Sequence, residues 1–527
     1  VRQHVAEMFK SAARERGNRL RMRRALSALS IFVGASAVGC GGGSATVGAG
    51  PDGGSSDAPD TRAGAVDAGD SSASAPPTFI PGACGLSIHV SADWHRSCGT
   101  VAVPLQRVAP APSESKLDIY VERFDNGPGP TIVYLTGGPG IGLDAYAGLG
   151  VLDKVIAAVP SGEVIFLEQR GNARSPGDLS CHAGEDDRVC LARLTTAGLH
   201  PEAYNSVESA SDVADVLSAF GRDRATLWGH SYGSALAQVV TENHPTRVAS
   251  LILEGVLDPL TPEPTDPVPN RETSLGAFGN WFSKRCAADP TCAAQYPTGL
   301  DPVADFQKLV SSLSDPSMTV PLTTTASLSQ DDLQSWFLNG LATYDGMLAF
   351  VELVHAAVLS TPSDPSAMNA WLSAIGKGDP NVGANAVQGF LRALGAATVA
   401  VSQDVKDCFD EVNSFAKEPV CAPLSRTQYG SDQFALAFHS AVPSLFLTGA
   451  LDTQTLPPEA TAVRNRLSNV VEVVFGSCIG HFSFLDSGTC GDGVVKSFLG
   501  GMSPVVTPAC AAASACDSMP LLPRLGG

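Results

Sequence analysis

The residues "ATLWGHSYGSALAQVV", Ala225 to Val240, begin as an apolar strand, pass through a serine between two glycines, and continue as a small-residue helix. Gly229-His230-Ser231-Tyr232-Gly233 fits G-x-S-x-G, the pattern that exposes a serine hydroxyl on a sharp strand-to-helix turn. Both flanking positions require glycine, because a Cβ at either would collide with the neighbouring strand or helix. A serine hydroxyl is a poor nucleophile at neutral pH. It needs a base, and the base needs an acid to orient it.

On a strand-turn-helix architecture the partners follow in the order Ser, then Asp or Glu, then His. That order leaves four of the ten histidines, namely His244, His355, His439 and His481. His244 closes the helix after the serine, and His355 lies in an apolar helical stretch, so both read as structural. His439 precedes the strand that should deliver the acid. His481 follows "VVEVVFGSCIG" in a loop leaving the last strand and is the expected general base. The acid belongs in the loop after the preceding strand, where "SLFLTGALD" ends at Asp452, with Glu459 and Asp486 as alternatives. Two N–H donors are needed for a tetrahedral oxyanion. Tyr232, next to the serine, supplies one; Gly138 in Thr136-Gly137-Gly138-Pro139-Gly140 is expected to supply the other. This chemistry calls for no metal and no organic cofactor.

Around the serine, "LDIYVERF", "TIVYLTGG", "EVIFLEQRG" and "ASLILEGV" read as strands. "ESASDVADVLSAFG" reads as an amphipathic helix on Val213, Val216, Leu217 and Phe220, stopped by Gly221. Near-continuous apolar strands alternating with amphipathic helices predict an α/β fold with a mostly parallel sheet covered on both faces. After Pro259 the texture turns helical, as in "SQDDLQSWFLNGLA", with Ser329 as N-cap and Leu333, Trp336, Phe337 and Leu341 on one face. Strands return in "VPSLFLTGALD" and "NVVEVVFGS". The expected organisation is a core at 80–259 and 434–527, the latter with a C-terminal tail, interrupted by a helical insertion at 260–433.

The formal charge of −19 is uneven. Residues 1–39 hold 8 of the 34 Lys and Arg but only 2 of the 53 Asp and Glu, leaving 26 basic against 51 acidic groups elsewhere. So acidic a body repels phosphate backbones, which argues against nucleic acid. The basic residues precede an apolar run from Ala25 to Val38, too short to span a bilayer comfortably and laid out as a secretion signal, with Met22 an alternative start. "AVGC", Ala37 to Cys40, resembles a bacterial lipobox, so Cys40 is expected to carry a lipid; a plain cleaved signal and free secretion are the alternative. Residues 40–79 are Gly-, Ser-, Ala-, Asp- and Pro-rich and read as a tether between that lipid and the folded body.

The remaining twelve cysteines fall as near neighbours: Cys84 and Cys98, Cys181 and Cys190, Cys286 and Cys292, Cys408 and Cys421, Cys478 and Cys490, Cys510 and Cys516. An even set of local pairs in an exported chain reads as disulfides, whereas zinc would call for C-x-x-C pairs or clustered histidines.

Together, "TGGPG", "EQRGNARS" at Glu168 to Ser175, "GHSYG", "GALDTQTLPPEA" and Gly480-His481 resemble the α/β-hydrolase fold. More narrowly they are similar to the proline iminopeptidase and secreted tripeptidyl aminopeptidase family of serine exopeptidases, over about residues 80 to 500. Thr136 and Glu168 stand where that family often has His and Asp. The resemblance implies an inserted helical cap and cleavage of peptide bonds near a free amino terminus, with carboxylates near the cap holding the substrate's ammonium group. Glu254, Glu263, Asp266 and Glu272 are in range for that role, and the sequence does not choose among them. A carboxylic-ester hydrolase using the same groups, and a non-catalytic surface binder, are the rival readings. Oligomeric state is left open.

Overall fold

Nine strands form one sheet: β1 (Phe79–Pro81), β2 (His95–Pro104), β3 (Lys116–Asp125), β4 (Thr131–Leu135), β5 (Glu163–Leu167), β6 (Ala225–His230), β7 (Val248–Glu254), β8 (Ser444–Gly449) and β9 (Val470–Phe475). Their order across the sheet is β1-β2-β3-β5-β4-β6-β7-β8-β9. The computed structural model describes residues 77–501 apart from 108–114, most of 176–202, 260–267, 297–299, 314–318, 398–438 and several shorter breaks, together with Leu521 and Leu525. These residues belong to one unit, Pro76–Gly527. The expected signal, Cys40 and nearly all of the tether lie outside the described residues, as do Cys181, Cys190, Cys408, Cys421, Cys510, Cys516, Glu263 and Asp266.

The pairings from β5 through β4, β6, β7 and β8 to β9 are parallel, and those joining β1, β2, β3 and β5 are antiparallel. Every residue of β5 and β6 is buried, as expected of strands covered on both faces. Each fully buried aliphatic side chain here contributes about 1.5–3 kcal/mol. Helices α1 (Leu143–Gly148), α2 (Val151–Ala158), α3 (Ser206–Ala219) and α4 (Tyr232–Asn243) lie between these strands in the chain. Asn205 caps α3 by accepting from Glu208 N–H, and Gly221, with φ of +64°, follows its end. Val213, Val216 and Leu217 face the core, while Phe220 is half-buried against it.

Between β7 and β8 the described residues form seven α-helices: α5 (Val268–Ala288), α6 (Pro290–Gln295), α7 (Pro302–Ser312), α8 (Gln330–Asn339), α9 (Tyr344–Leu359), α10 (Ser366–Ile375) and α11 (Pro380–Ala397). A small ribbon, Val320–Pro321 with Ser327–Leu328, joins them. Ser329 caps α8 in a reciprocal box with Asp332, and Leu333, Trp336 and Phe337 are buried. Leu341 is buried too, but in the 3-10 turn Gly340–Ala342 beyond the helix. Helix α9 is buried from Tyr344 to Ala356 except Asp345, apolar nearly all round, as the centre of a helical layer must be. After β8 come α12 (Pro457–Arg464), α13 (Ser483–Asp486) and α14 (Gly488–Leu499). Disulfides join Cys84 to Cys98 and Cys286 to Cys292, and Cys478 and Cys490 are each disulfide-bonded.

Because β4, β6, β7, β8 and β9 run the same way, their carboxyl ends share one edge. From that edge emerge the Thr136–Gly140 loop, Ser231, Glu254, Asp452 and the segment bearing His481. Open parallel sheets bind ligands at this edge.

Candidate active site

Ser231 joins β6 to α4 with φ of +57° and ψ of −126°, a backbone region that costs a non-glycine residue about 1–3 kcal/mol. Such strain persists only where the surroundings impose it. A Cβ on Gly229 would lie 2.1 Å from Gly233 O, and one on Gly233 would lie 2.1 Å from Leu135 O, so neither flank admits a side chain. Ser231 N–H donates to Glu254 O at 2.9 Å, which ties the turn to β7. The result is a half-exposed serine at the amino terminus of a buried helix.

Asp452 and His481 meet across the ends of β8 and β9. His481 Nδ1 lies 3.0 and 2.9 Å from the two Asp452 carboxylate oxygens, and both residues are buried. Asp452 also accepts from Gln454 N–H, Thr455 N–H and Thr455 Oγ1, each at 2.9 Å. With Nδ1–H directed to the carboxylate, Nε2 carries the lone pair, and among the described residues it has no hydrogen-bond partner, Ser231 Oγ included. The backbone at the end of β7 touches both serine and imidazole. Glu254 O holds Ser231, and a Cβ on Gly255 would lie 2.8 Å from His481 Cε1.

The loop after β4 closes the third side. A Cβ on Gly137 would meet Ser231 Cβ at 2.7 Å. Gly137 N–H donates to Tyr146 Oη at 2.7 Å. Tyr232 N–H is the first donor of α4, where the helix dipole favours negative charge. The Tyr146 hydroxyl, accepting from Gly137, donates to His230 Nδ1 at 2.7 Å, which puts the His230 proton on Nε2, 3.4 Å from His481 O. Burial, reinforced by His481, drives the His230 pKa well below the ordinary histidine value, so this ring is neutral beside the imidazole. Sequence reasoning passed over both Tyr146 and His230. The x of G-x-S-x-G signals nothing until its neighbours are known.

Thr136 and Glu168 support the same loop. Thr136 Oγ1 donates to Ile141 O, Gln169 Nε2 donates to Thr136 O, and Glu168 accepts from Leu143 N–H. Burial pushes Glu168 up to about 7. The rest of "EQRGNARS" cross-links the fold: Arg170, fully buried, pairs with Asp212, while Arg174 pairs with Asp144 on α1.

The remaining candidates stand elsewhere. His244 ends α4 with Nε2 3.1 Å from Ser211 Oγ, and His355 Nδ1 lies 2.7 Å from Asp305 Oδ2 on α7. His439 is an exposed residue ahead of β8. Glu459 accepts from Leu456 N–H at the start of α12, and Asp486 accepts from Tyr344 N–H, so neither alternative acid holds His481. Glu254 is buried, accepting from Phe484 N–H at 2.8 Å. Its other oxygen makes no well-formed hydrogen bond, although Trp228 lies close enough to favour the charged form. Burial raises Glu254 to about 7 against the pull of Phe484, His481 and Lys154. Glu272 meets Gln307 Nε2 at 3.3 Å. Among the described residues, Cys84, Cys98 and Glu122 cluster, but the thiols form a disulfide and Arg96 holds Glu122, so they offer no ligand set.

Residues 130–289 match the family model described as "alpha/beta hydrolase fold". The serine protease Hip1 of Mycobacterium tuberculosis is 26% identical over 249 residues, 42% of this chain and 46% of that protein. The proline iminopeptidase of Neisseria gonorrhoeae is 26% identical over 138 residues, 26% of this chain and 36% of that protein. The chain thus spans less than half the length of these relatives. A proline iminopeptidase-related protein from Thermus thermophilus superposes at a TM-score of 0.36 with 16% identity, over 77% of this chain and 99% of that one. The family model, the sheet order and the strand-to-helix serine turn agree: this chain has the α/β-hydrolase fold.

Proposed function

We propose that the protein is an exported serine hydrolase, most readily an aminopeptidase that releases residues or short peptides through an acyl-enzyme. The observation that carries the reading is the buried Asp452–His481 pair at the same sheet edge as a serine held in a strained turn. His481 takes the proton from Ser231 Oγ as that oxygen bonds to the substrate carbonyl carbon. Tyr232 and Gly138 N–H groups stabilise the oxyanion, and His481 returns the proton to the leaving amine as the acyl–nitrogen bond breaks. Water, deprotonated by the same imidazole, then releases the acyl group and restores the serine.

The peptidase preference draws on the quoted motifs and on the peptidase names of the two relatives. Export draws on the basic-apolar N-terminal pattern and on the bonded cysteines, and attachment through a lipid on Cys40 draws on "AVGC". Among the described residues no helix is long and apolar enough to cross a membrane. The test compares peptide p-nitroanilides carrying a free amino terminus with p-nitrophenyl esters, using the wild-type chain and Ser231→Ala. Turnover of anilides that disappears in the variant and on amino-terminal blocking is expected. Turnover of esters alone would replace the peptidase reading, and failure of a fluorophosphonate to label Ser231 would end the hydrolase reading.

A further inference from the structure

The segment carrying His481 is held from two sides. On the sheet side, Ser483 Oγ donates to Leu447 O at 3.0 Å and Phe484 N–H to Glu254 Oε1 at 2.8 Å. Lys154 Nζ reaches Leu485 O at 3.0 Å and lies over the Phe484 ring. The other side belongs to the helical insertion, at the turn between α8 and α9. Phe482 N–H donates to Ala342 O at 3.1 Å, and Tyr344 N–H donates to Asp486 Oδ2 at 2.8 Å. Gly480 packs there as well, since a Cβ on it would lie 3.1 Å from Ala342 O. The residues on both flanks of the imidazole therefore lean on two residues of the insertion, Ala342 and Tyr344.

The chemistry of the second tie is specific. Tyr344 is the first residue of α9, so its N–H has no partner within the helix, and Asp486 supplies one. Asp486 is half-buried, and burial, with Asp345 adding repulsion, raises its carboxyl to about 7. A carboxyl withdrawn from water is costly unless it is hydrogen-bonded, and the bond Asp486 makes is to the insertion.

We propose that Asp486 is a positioning residue for His481, binding the histidine segment to the Ala342–Tyr344 turn so that the insertion is a working part of the active site. Movement of the insertion relative to the sheet displaces the imidazole, which couples its placement over substrate to proton transfer. The inference rests on the reading of Ser231 and His481 as nucleophile and base.

Asp486→Ala and Asp486→Asn, assayed in the full chain below their melting temperatures, separate positioning from simple helix capping. A misplacement of about 1 Å costs roughly 100-fold in rate. Asp486→Ala is accordingly expected to lose roughly 10- to 100-fold in kcat on both p-nitrophenyl acetate and a peptide p-nitroanilide, with KM nearly unchanged. The same factor is expected in the rate of fluorophosphonate labelling. Asp486→Asn, whose amide oxygen still accepts from Tyr344, is expected to restore activity to within about threefold of wild type. A folded Asp486→Ala with full kcat on the small ester, or one altered only in KM for the peptide, overturns the proposal. If Asp486→Ala does not fold, amide hydrogen exchange on the wild-type protein decides. Phe482 and Tyr344 are expected to exchange together as one opening unit, and Tyr344 exchanging freely while Phe482 stays protected overturns it. A wild-type protein that neither turns over substrate nor takes the fluorophosphonate refutes the hydrolase reading instead, and the exchange experiment still tests the tie.

Discussion

Asp452, at the end of β8, and Glu352, in the middle of α9, are each 2% exposed, yet the protein treats them in opposite ways. Asp452 sits in a nest of two backbone N–H groups, a threonine hydroxyl and an imidazole. Glu352 receives the Trp371 indole N–H at 3.0 Å and lies beside the Tyr296 hydroxyl, with no ion pair at either oxygen among the described residues, and burial lifts its pKa to about 8. The sheet half pairs its most deeply buried guanidinium, Arg170, with Asp212, but it also holds Glu168 and Glu254, which burial raises to about 7 as it raises Glu352 in the insertion. Burial alone therefore does not mark a working carboxylate; the donors around it do.

The largest effect expected from this contrast is on turnover. Asp452→Asn should lower kcat by about 10⁴, because the amide cannot hold the imidazole in the tautomer that leaves Nε2 as base. Glu352→Gln in the same assay should stay within about twofold, being equally buried but remote from charge transfer. A kcat for Asp452→Asn above a tenth of wild type breaks the comparison and returns the acid's role to another carboxylate.

Stability tests the paired side. Arg170 is wholly buried, its guanidinium donating to both Asp212 oxygens at 2.7 Å and to Leu105 O and Ala203 O. Replacing it by Met leaves the carboxylates of Asp212 and Glu208 sharing the half-buried Arg107 alone. Loss of one partner from a buried pair costs about 3–5 kcal/mol, and urea unfolding should register that. A cost below about 1 kcal/mol would show that the network tolerates the loss of this partner.

The unpaired side has the opposite sign. Glu352 binds its proton more tightly folded than unfolded, so between its ordinary value near 4.5 and about 8 the folded state holds a proton that the unfolded chain has released. Stability attributable to this group falls as pH rises through that window and is flat above it. Glu352→Gln removes the titration, and its advantage over wild type should be absent at pH 4, grow to a few kcal/mol by pH 8, and grow no further. Thermal melts of both proteins across this range check it. A constant offset would mean that Glu352 stays charged when folded.

How much of this was legible beforehand follows the same division. The serine turn, the order of Ser231, Asp452 and His481, and the helical texture after Pro259 all rest on local patterns; the structure joins Asp452 to His481 and shows no hydrogen bond from His481 Nε2 to Ser231. Strands β1 and β2 escaped notice because "HRSCGTVAVP" mixes Arg, Gly, Cys and Pro, and its alternation of buried Val101 and Val103 spans too few residues. Glu459 and Asp486 stayed alternative acids because side-chain direction is set by tertiary contacts to Asp258 and Tyr344. Glu254 was counted among ammonium-binding carboxylates on its nearness to the insertion in sequence. Its place at the end of a buried strand turned it inward to Phe484 instead.

The smallest effect belongs to the hydroxyl that joins the two sides of the site. Tyr146→Phe keeps the ring, packed edge-on to Tyr134 and His230, and removes the oxygen that accepts from Gly137 and donates to His230. Two buried polar groups lose a partner, so a stability loss of about 1–3 kcal/mol is expected. Gly137 lies against Ser231, so the loop carrying the proposed Gly138 donor loosens as well. An oxyanion donor removed outright costs about 10²–10³ in kcat; one merely loosened should cost about 5- to 20-fold, with KM little changed. Equal losses on ester and anilide would locate the defect in oxyanion stabilisation, a step both substrates share. A loss confined to the anilide would place it at leaving-group protonation by His481, whose backbone oxygen His230 reaches, and would make the Tyr146–His230 chain a support for the base.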